Sequence, residues 1–112
     1  MEVPAGKLDP GEDPVTCAAR ELEEEVGVRA AELVSLGWIW TTPGFTDEKI
    51  HLYLARGLEE AEQNLQADEV LSIVSMSLEA AVKKVHEGEI CDAKSICTVL
   101  RADRFLRDEF GV

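Results

Sequence analysis

The sequence predicts an α/β domain, a small mixed sheet with helices on its faces, and three observations carry that reading. Val15, Ala18, Ala19, Leu22 and Val26 recur at helical spacing behind an Asp13-Pro14 start. Ile50, Leu52 and Leu54 alternate with His51, Tyr53 and Ala55, the period of two that marks a strand. Two helical segments close the chain, one capped by Ser77 and stopped by Gly88, the other "DAKSICTVLRADRFLRDEF".

Taken in order, residues 1–13 read as a loop with a short extended lead-in near Val3. Asp13 caps a helix that runs to Val26, and Gly27 ends it. "ELVSLGWIW", residues 32–40, is a first strand; the loop "TTPGFTDE" leads to a second over 49–57. "EEAEQNLQADE" reads as an acidic loop and residues 70–77 as a third strand. The last helix puts Ile96, Leu100 and Phe105 or Leu106 on its core side. Trp38 and Trp40 share one strand face, as core or dimer contacts or with one of them stacking on a base. His51 and His86 stand alone and read as strand and surface residues rather than ligands.

A chain of 112 residues makes a single domain over 1–112. Its 46% hydrophobic and 30% charged content is that of a globular protein, not a disordered one. No apolar run approaches a membrane span and "MEVPAGK" has no signal-peptide core, so a cytoplasmic location is expected. The three cysteines, Cys17, Cys91 and Cys97, form no CxxC pair, which argues against a disulfide framework or a zinc site. A net charge of −12 without a basic patch argues against nucleic acid or an anionic membrane as partner. The same charge repels a phosphate-bearing substrate unless a cation screens the site.

One stretch, "GKLDPGEDPVTCAARELEEEVGV", concentrates the chemistry. At ~100° per residue, Glu21, Glu24 and Glu25 project within an arc of about 100°, away from the apolar stripe. Alone, "ELEEEV" reads either as a solvated acidic face or as a seat for a hard cation, which takes carboxylate oxygens together with water and phosphate. Arg20 is placed to pair with Glu24 one turn on, or to reach back to Glu12; either contact would fix the loop against the helix. The full spacing decides between the readings. Gly6, Glu12, Arg20, Glu21, Glu24, Glu25 and Gly27, with aliphatic Leu22 and Val28, would coincide on the order of once in 10⁸ windows.

That pattern resembles the Nudix box, and the chain is identified as a member of the Nudix hydrolase family. The resemblance implies a Nudix α/β/α sandwich and hydrolysis of a nucleoside diphosphate linked to another group. It also implies Mg²⁺ as cofactor, with Mn²⁺ an alternative. Carried over by position, Glu21 and Glu25 are direct metal ligands, Glu24 is a ligand or a water-mediated one, and a backbone carbonyl near Ala5 or Gly6 joins them. Glu24 and Arg20 enter the catalytic set, Arg20 together with Glu12 in a structural capacity, while Gly6 and Gly11 shape the loop.

"PAGKLDPGED" and Pro43, 15 residues beyond Val28 in "TTPGFTDE", resemble the ADP-ribose pyrophosphatase branch, as does "EGEICDAKSICTVL". In that branch Pro43, Gly44, Phe45 and Glu48, with Gly6, are expected to bind substrate. The implied reaction takes ADP-ribose, or another ADP- or NDP-sugar, to AMP or NMP and a sugar phosphate. Two departures stand out. The branch carries a D-E-x-E loop where this chain has Gln66-Ala67-Asp68-Glu69, so Glu69 is left as base or further metal ligand, with Asp68 the poorer alternative. Members also carry strands ahead of "PAGK", so the chain reads as N-terminally truncated, its sheet completed by a partner or by exchanged strands in a homodimer. Two other readings stand beside the leading one: a Nudix hydrolase for another dinucleotide, and a degenerate module that binds nucleotide without turnover. Ala67 and the missing strands favour the degenerate module; the intact Glu21, Glu24 and Glu25 favour an enzyme.

Overall fold

Asp13 starts the first helix as the sequence predicts: its carboxylate accepts the Thr16 amide at 2.8 Å, and Pro14 occupies the opening turn. The computed structural model describes residues 1–62 and 72–111. Helix α1 spans Pro14–Glu21. The helix does not stay regular to Val26, because Leu22–Val26 winds as a π-helical turn before Gly27 ends it at φ 74°. Such wider turns are uncommon inside helices and gather at functional sites. The apolar stripe is only partly buried. Val15 and Ala19 face solvent, Leu22 and Val26 are half-buried, and the residue that sinks is Cys17, 6% exposed.

Strand β1 covers Val28–Trp40 and β2 covers Lys49–Glu60. Together they form a two-stranded antiparallel hairpin. Both run longer than their apolar patterns, for a backbone reason. Pairing continues to the base of the hairpin, where the Ala61 amide reaches the Gly27 carbonyl at 2.7 Å. It closes at the tip with the Thr41 amide on the Glu48 carbonyl at 3.2 Å. Acidic ends such as Glu59 and Glu60 look like loop by composition, yet charge on an exposed strand does not hinder the ladder. Gly57, at φ 68°, leaves room for Ala31 across the pair, and Arg56 bonds Glu32 at 2.8 Å.

The third strand expected over 70–77 is a correction. Residues 72–77 take no regular structure, and Ile73 and Val74 are exposed; residues 70 and 71 lie outside the described residues. Among the described residues the sheet is therefore an antiparallel pair rather than a mixed sheet. A short apolar run signals a strand only when a neighbour pairs with it. The lead-in near Val3 belongs to a segment without regular structure, in keeping with the loop expected over residues 1–13.

Helix α2 spans Leu78–Glu87, with the Ser77 hydroxyl accepting the Ala80 amide and Gly88 turning left-handed behind it. Helix α3 spans Ala93–Phe110, and Asp92 caps it by accepting the Ser95 amide at 3.0 Å. Its inward face is Ser95, Val99 and Ala102, with Ile96, Leu100, Phe105 and Leu106 half-buried beside it. No helix among the described residues is long and apolar enough to cross a membrane.

The chain divides into two units, one of residues 1–3, 35–54 and 75–112, the other of residues 4–34 and 55–74. In the first, Leu52, Ile90, Val99 and Ala102 make the core. Ser95 is fully buried there, but its hydroxyl accepts the Val3 amide at 2.9 Å, so its burial leaves no polar group unpaired. Arg101 donates to the Leu36 and Trp38 carbonyls at 3.0 and 3.3 Å, on either side of Gly37 at φ 87°. Trp38 and Trp40 are not core residues: they are 42% and 45% exposed, because the alternation of β1 turns both rings outward. Among the described residues of the second unit the buried positions are Cys17 and Gly27.

Candidate functional site

The box stretch lies in the second unit and is organised around one guanidinium. Glu12 and Asp9 close a tight loop, each amide bonded to the other residue at 3.0 Å, with Gly11 at φ 76° between them. Arg20 grips Glu12 with a two-pronged fork, Nε to Oε2 and Nη2 to Oε1, both at 2.9 Å. Nη2 also donates to the Lys7 carbonyl at 3.1 Å. The remaining nitrogen, Nη1, donates to Glu21 at 2.9 Å and to Glu24 at 3.3 Å. Of the two contacts the sequence offered Arg20, with Glu24 or with Glu12, the structure makes both. This fork and the Asp9 amide hold the Glu12 carboxyl down at about 2, while Glu12 raises the Arg20 guanidinium above its usual range.

The other carboxylates separate cleanly. Glu23 turns away to pair with Arg29 at 3.0 Å. Glu25 accepts the Ala5 amide at 3.3 Å, which brings the loop backbone beside the helix. Gly6 is required by contact: a Cβ there would collide with the Glu21 carboxyl group. Glu21, Glu24 and Glu25 are all half-buried. The donor set fits a hard divalent cation, being all oxygen, and Gly6 keeps open the space that its own Cβ would fill beside Glu21. Among the described residues no three such groups already converge as a finished cage, since Arg20 holds two of them. Glu69, with Gln66, Ala67 and Asp68, lies outside the described residues.

Pro43, Gly44, Phe45 and Glu48 belong to the hairpin loop of the first unit. The Phe45 and Thr46 amides both reach the Thr42 carbonyl at 3.0 Å, and Gly44 supplies the left-handed turn at φ 91°. The Thr42 and Thr46 hydroxyls meet at 2.6 Å, and Thr41 donates to the Glu48 carboxylate at 2.8 Å. Phe45 is 91% exposed at the tip. Beside the loop, Trp38 and Trp40 stand edge to face with centroids 5.1 Å apart, and the Lys49 amine lies 4.3 and 5.0 Å from the two rings. Lys49, Thr41, Thr42 and Thr46 escaped the sequence reading. A signal for Lys49 existed: it follows the hairpin loop at once, where it comes to lie across from the tryptophan strand. His51 and His86 are exposed, as expected.

Comparison with known proteins places this geometry. The NUDIX domain matches residues 1–99. The chain is 43% identical over 97 residues to a Bacillus subtilis (strain 168) protein named ADP-ribose pyrophosphatase, covering 85% of this chain and 52% of that one. It is 43% identical over 101 residues to a methanol dehydrogenase activator of Bacillus methanolicus, covering 88% of this chain and 55% of the other. A solved structure titled "Crystal structure of ADP compounds hydrolase" superposes with a TM-score of 0.83 at 25% identity, over 94% of this chain and 57% of that one. The chain belongs to the Nudix family, with the α/β fold expected of it. It spans about half the length of the curated relatives it matches.

Proposed function

We propose that this chain carries the metal-binding and hydrolytic machinery of a Nudix pyrophosphohydrolase acting on ADP-ribose or another ADP- or NDP-sugar. The observation that supports it most is the Arg20 network, which brings Glu21, Glu24 and the Glu12 loop onto one guanidinium beside a glycine that makes room for a carboxylate. Relatives named ADP-ribose pyrophosphatase in Bacillus subtilis and Mycobacterium tuberculosis support the substrate class. Hydrolysis adds one water across the diphosphate. The water oxygen bonds to one phosphorus, and the bridging oxygen leaves with the other phosphate, giving a nucleoside monophosphate and a sugar phosphate.

Glu21, Glu24 and Glu25, with the backbone at Ala5, would hold a divalent cation, Mg²⁺ before Mn²⁺. Bound there, such a cation supplies charge screening for the diphosphate and lowers the pKa of the attacking water. Gly6 leaves the Glu21 carboxylate its place, Arg20 orients the loop, and Glu69 serves either as the base that takes the proton of the water or as a further metal ligand. On the resemblance, Pro43, Gly44, Phe45 and Glu48 bear on substrate choice. A cytoplasmic homodimer is part of this reading, supported by the exposed tryptophan pair; light scattering at low micromolar protein tests the dimer, and a monomer removes it. The deciding experiment for the activity is a panel of NDP-X compounds with Mg²⁺ and chromatographic separation of products. Release of AMP and a sugar phosphate from ADP-ribose supports the reading. Saturable nucleotide binding without products supports the degenerate module instead.

A further inference from the structure

The guanidinium of Arg20 has two ends of unlike quality. Its Nε–Nη2 edge is locked: two bonds of 2.9 Å to Glu12, whose side chain is only 10% exposed and is itself tied to the Asp9 amide, plus the Lys7 carbonyl at 3.1 Å. The other end is a single nitrogen, Nη1, divided between Glu21 at 2.9 Å and Glu24 at 3.3 Å. Those are two of the three carboxylates read above as the cation seat. On that reading, we infer that Arg20 is the resident counter-cation of the seat: Nη1 holds Glu21 and Glu24 while the seat lacks a metal, and cedes them when a divalent cation binds. The Nε–Nη2 edge stays on Glu12 throughout.

Charge and geometry both favour this exchange. Glu21 and Glu25 are one turn apart with Glu24 beside them, and like charges at that spacing repel. Arg20 answers that repulsion with part of one delocalised charge, whereas a divalent cation brings two compact charges to the same oxygens. The exchange needs no movement of the loop, because four of the guanidinium's contacts, to Glu12, Lys7 and Asp9, do not involve Nη1. Arg20 thus opposes cation binding while keeping the site assembled without it. A purely structural arginine would do the reverse, aligning the ligands and strengthening the metal.

The sign of one substitution separates the two. In calorimetric Mg²⁺ titrations, Arg20→Gln should bind the cation about three- to tenfold more tightly than the parent, the scale of releasing one or two part-buried charge-assisted bonds. Arg29→Gln removes an equal charge from the same unit, where Arg29 pairs with Glu23, and should change affinity by no more than about twofold. Weaker or unchanged binding in Arg20→Gln, or an equal gain in Arg29→Gln, overturns the inference. If Arg20→Gln does not fold, nitrogen-15 spectra of the parent protein decide. At saturating Mg²⁺ the Arg20 Nε–H signal should hold still while rotation about Cζ–Nη1 speeds up; an Nη1 group unmoved at saturation overturns the exchange alone. A parent protein with no saturable Mg²⁺ heat, and no shift of the Glu21–Glu25 amides, removes the metal seat and the exchange together.

Discussion

Two short regions of the chain fix their shape by opposite means. From Lys7 to Glu25, one guanidinium satisfies carboxylates on both a loop and a helix, and ionic hydrogen bonds carry the arrangement. From Thr41 to Glu48, backbone amides and threonine hydroxyls do so, and Phe45 is left in solvent. The first region gathers negative charge that ordinary helices avoid; the second leaves one aromatic side chain, Phe45, standing in solvent. Each breaks a different rule, and such violations concentrate where function lies. The difference has a practical consequence. The guanidinium region should answer to cations, and to acid through Glu12, whose carboxyl the Arg20 fork holds low.

The sharpest way to break the comparison is to remove one carboxylate of the acidic cluster. Glu24→Gln or Glu25→Gln should reduce ADP-ribose turnover with Mg²⁺ by at least ~10²-fold, the scale of losing one strong electrostatic stabiliser, with an unchanged circular dichroism spectrum. Either variant working at the parent rate ends the metal assignment. Phe45→Ala in the hairpin loop should instead act mainly through KM, since an exposed side chain there supports no charge.

A smaller effect is expected from Gly6→Ala. The added methyl meets the Glu21 side chain, which can swing aside, so the melting temperature should fall little. Glu21 then leaves its place, and Mg²⁺ affinity should fall by roughly tenfold, the cost of one displaced charged ligand. A large loss of stability with metal binding intact would mean that Gly6 serves the backbone and not the ligand.

Much of this region was legible before any coordinates, because the signals are local. Asp13, Pro14 and Gly27 cap and stop the helix through bonds to residues within four positions, so spacing alone finds them. Ser77 and Gly88 do the same for the helix between them, while the Asp92 cap of the last helix comes from the structure. The π-helical turn at Leu22–Val26 was not legible, since apolar periodicity does not distinguish two windings over five residues. The strand expected over 70–77 is absent from its described part, 72–77, because a strand requires a partner, and partners are not written into a single segment. Of the readings open for Trp38 and Trp40, core, dimer contact or a ring stacked on a base, their exposure removes the core one, and Lys49 gives their outward faces a polar neighbour.

Acid should distinguish the two regions through Glu12. Its carboxyl is held at about 2 against an ordinary 4.5, chiefly by the Arg20 fork and then by the Asp9 amide. A depressed folded-state pKa contributes stability that is fully present above about 4.5 and is lost as pH falls toward 2. Unfolding followed between pH 6 and 2 should therefore show a steep decline in the parent that is shallower in Glu12→Gln. Parallel declines in the two proteins would mean that Glu12 is not linked to folding. Thr42→Val, which removes a neutral hydrogen bond from the hairpin loop, should shift the curve without changing its slope.

The smallest effect belongs to the tryptophan pair. The Lys49 ammonium lies within 5.0 Å of both ring centroids, inside the range where the negative face of an indole attracts a cation. Both rings are more than two-fifths exposed, so water screens the attraction, and about 0.5–1 kcal/mol is the scale for such a site. Lys49→Met keeps the length and apolar stem of the side chain and deletes only its charge. The expected result is a fall of a few degrees in melting temperature. The exciton signal of the edge-to-face pair in far-ultraviolet circular dichroism should persist, because the two rings touch each other independently of the amine. If that signal vanishes along with the charge, the ammonium is what holds the rings together, and the hairpin face is then organised by a cation just as the acidic helix is.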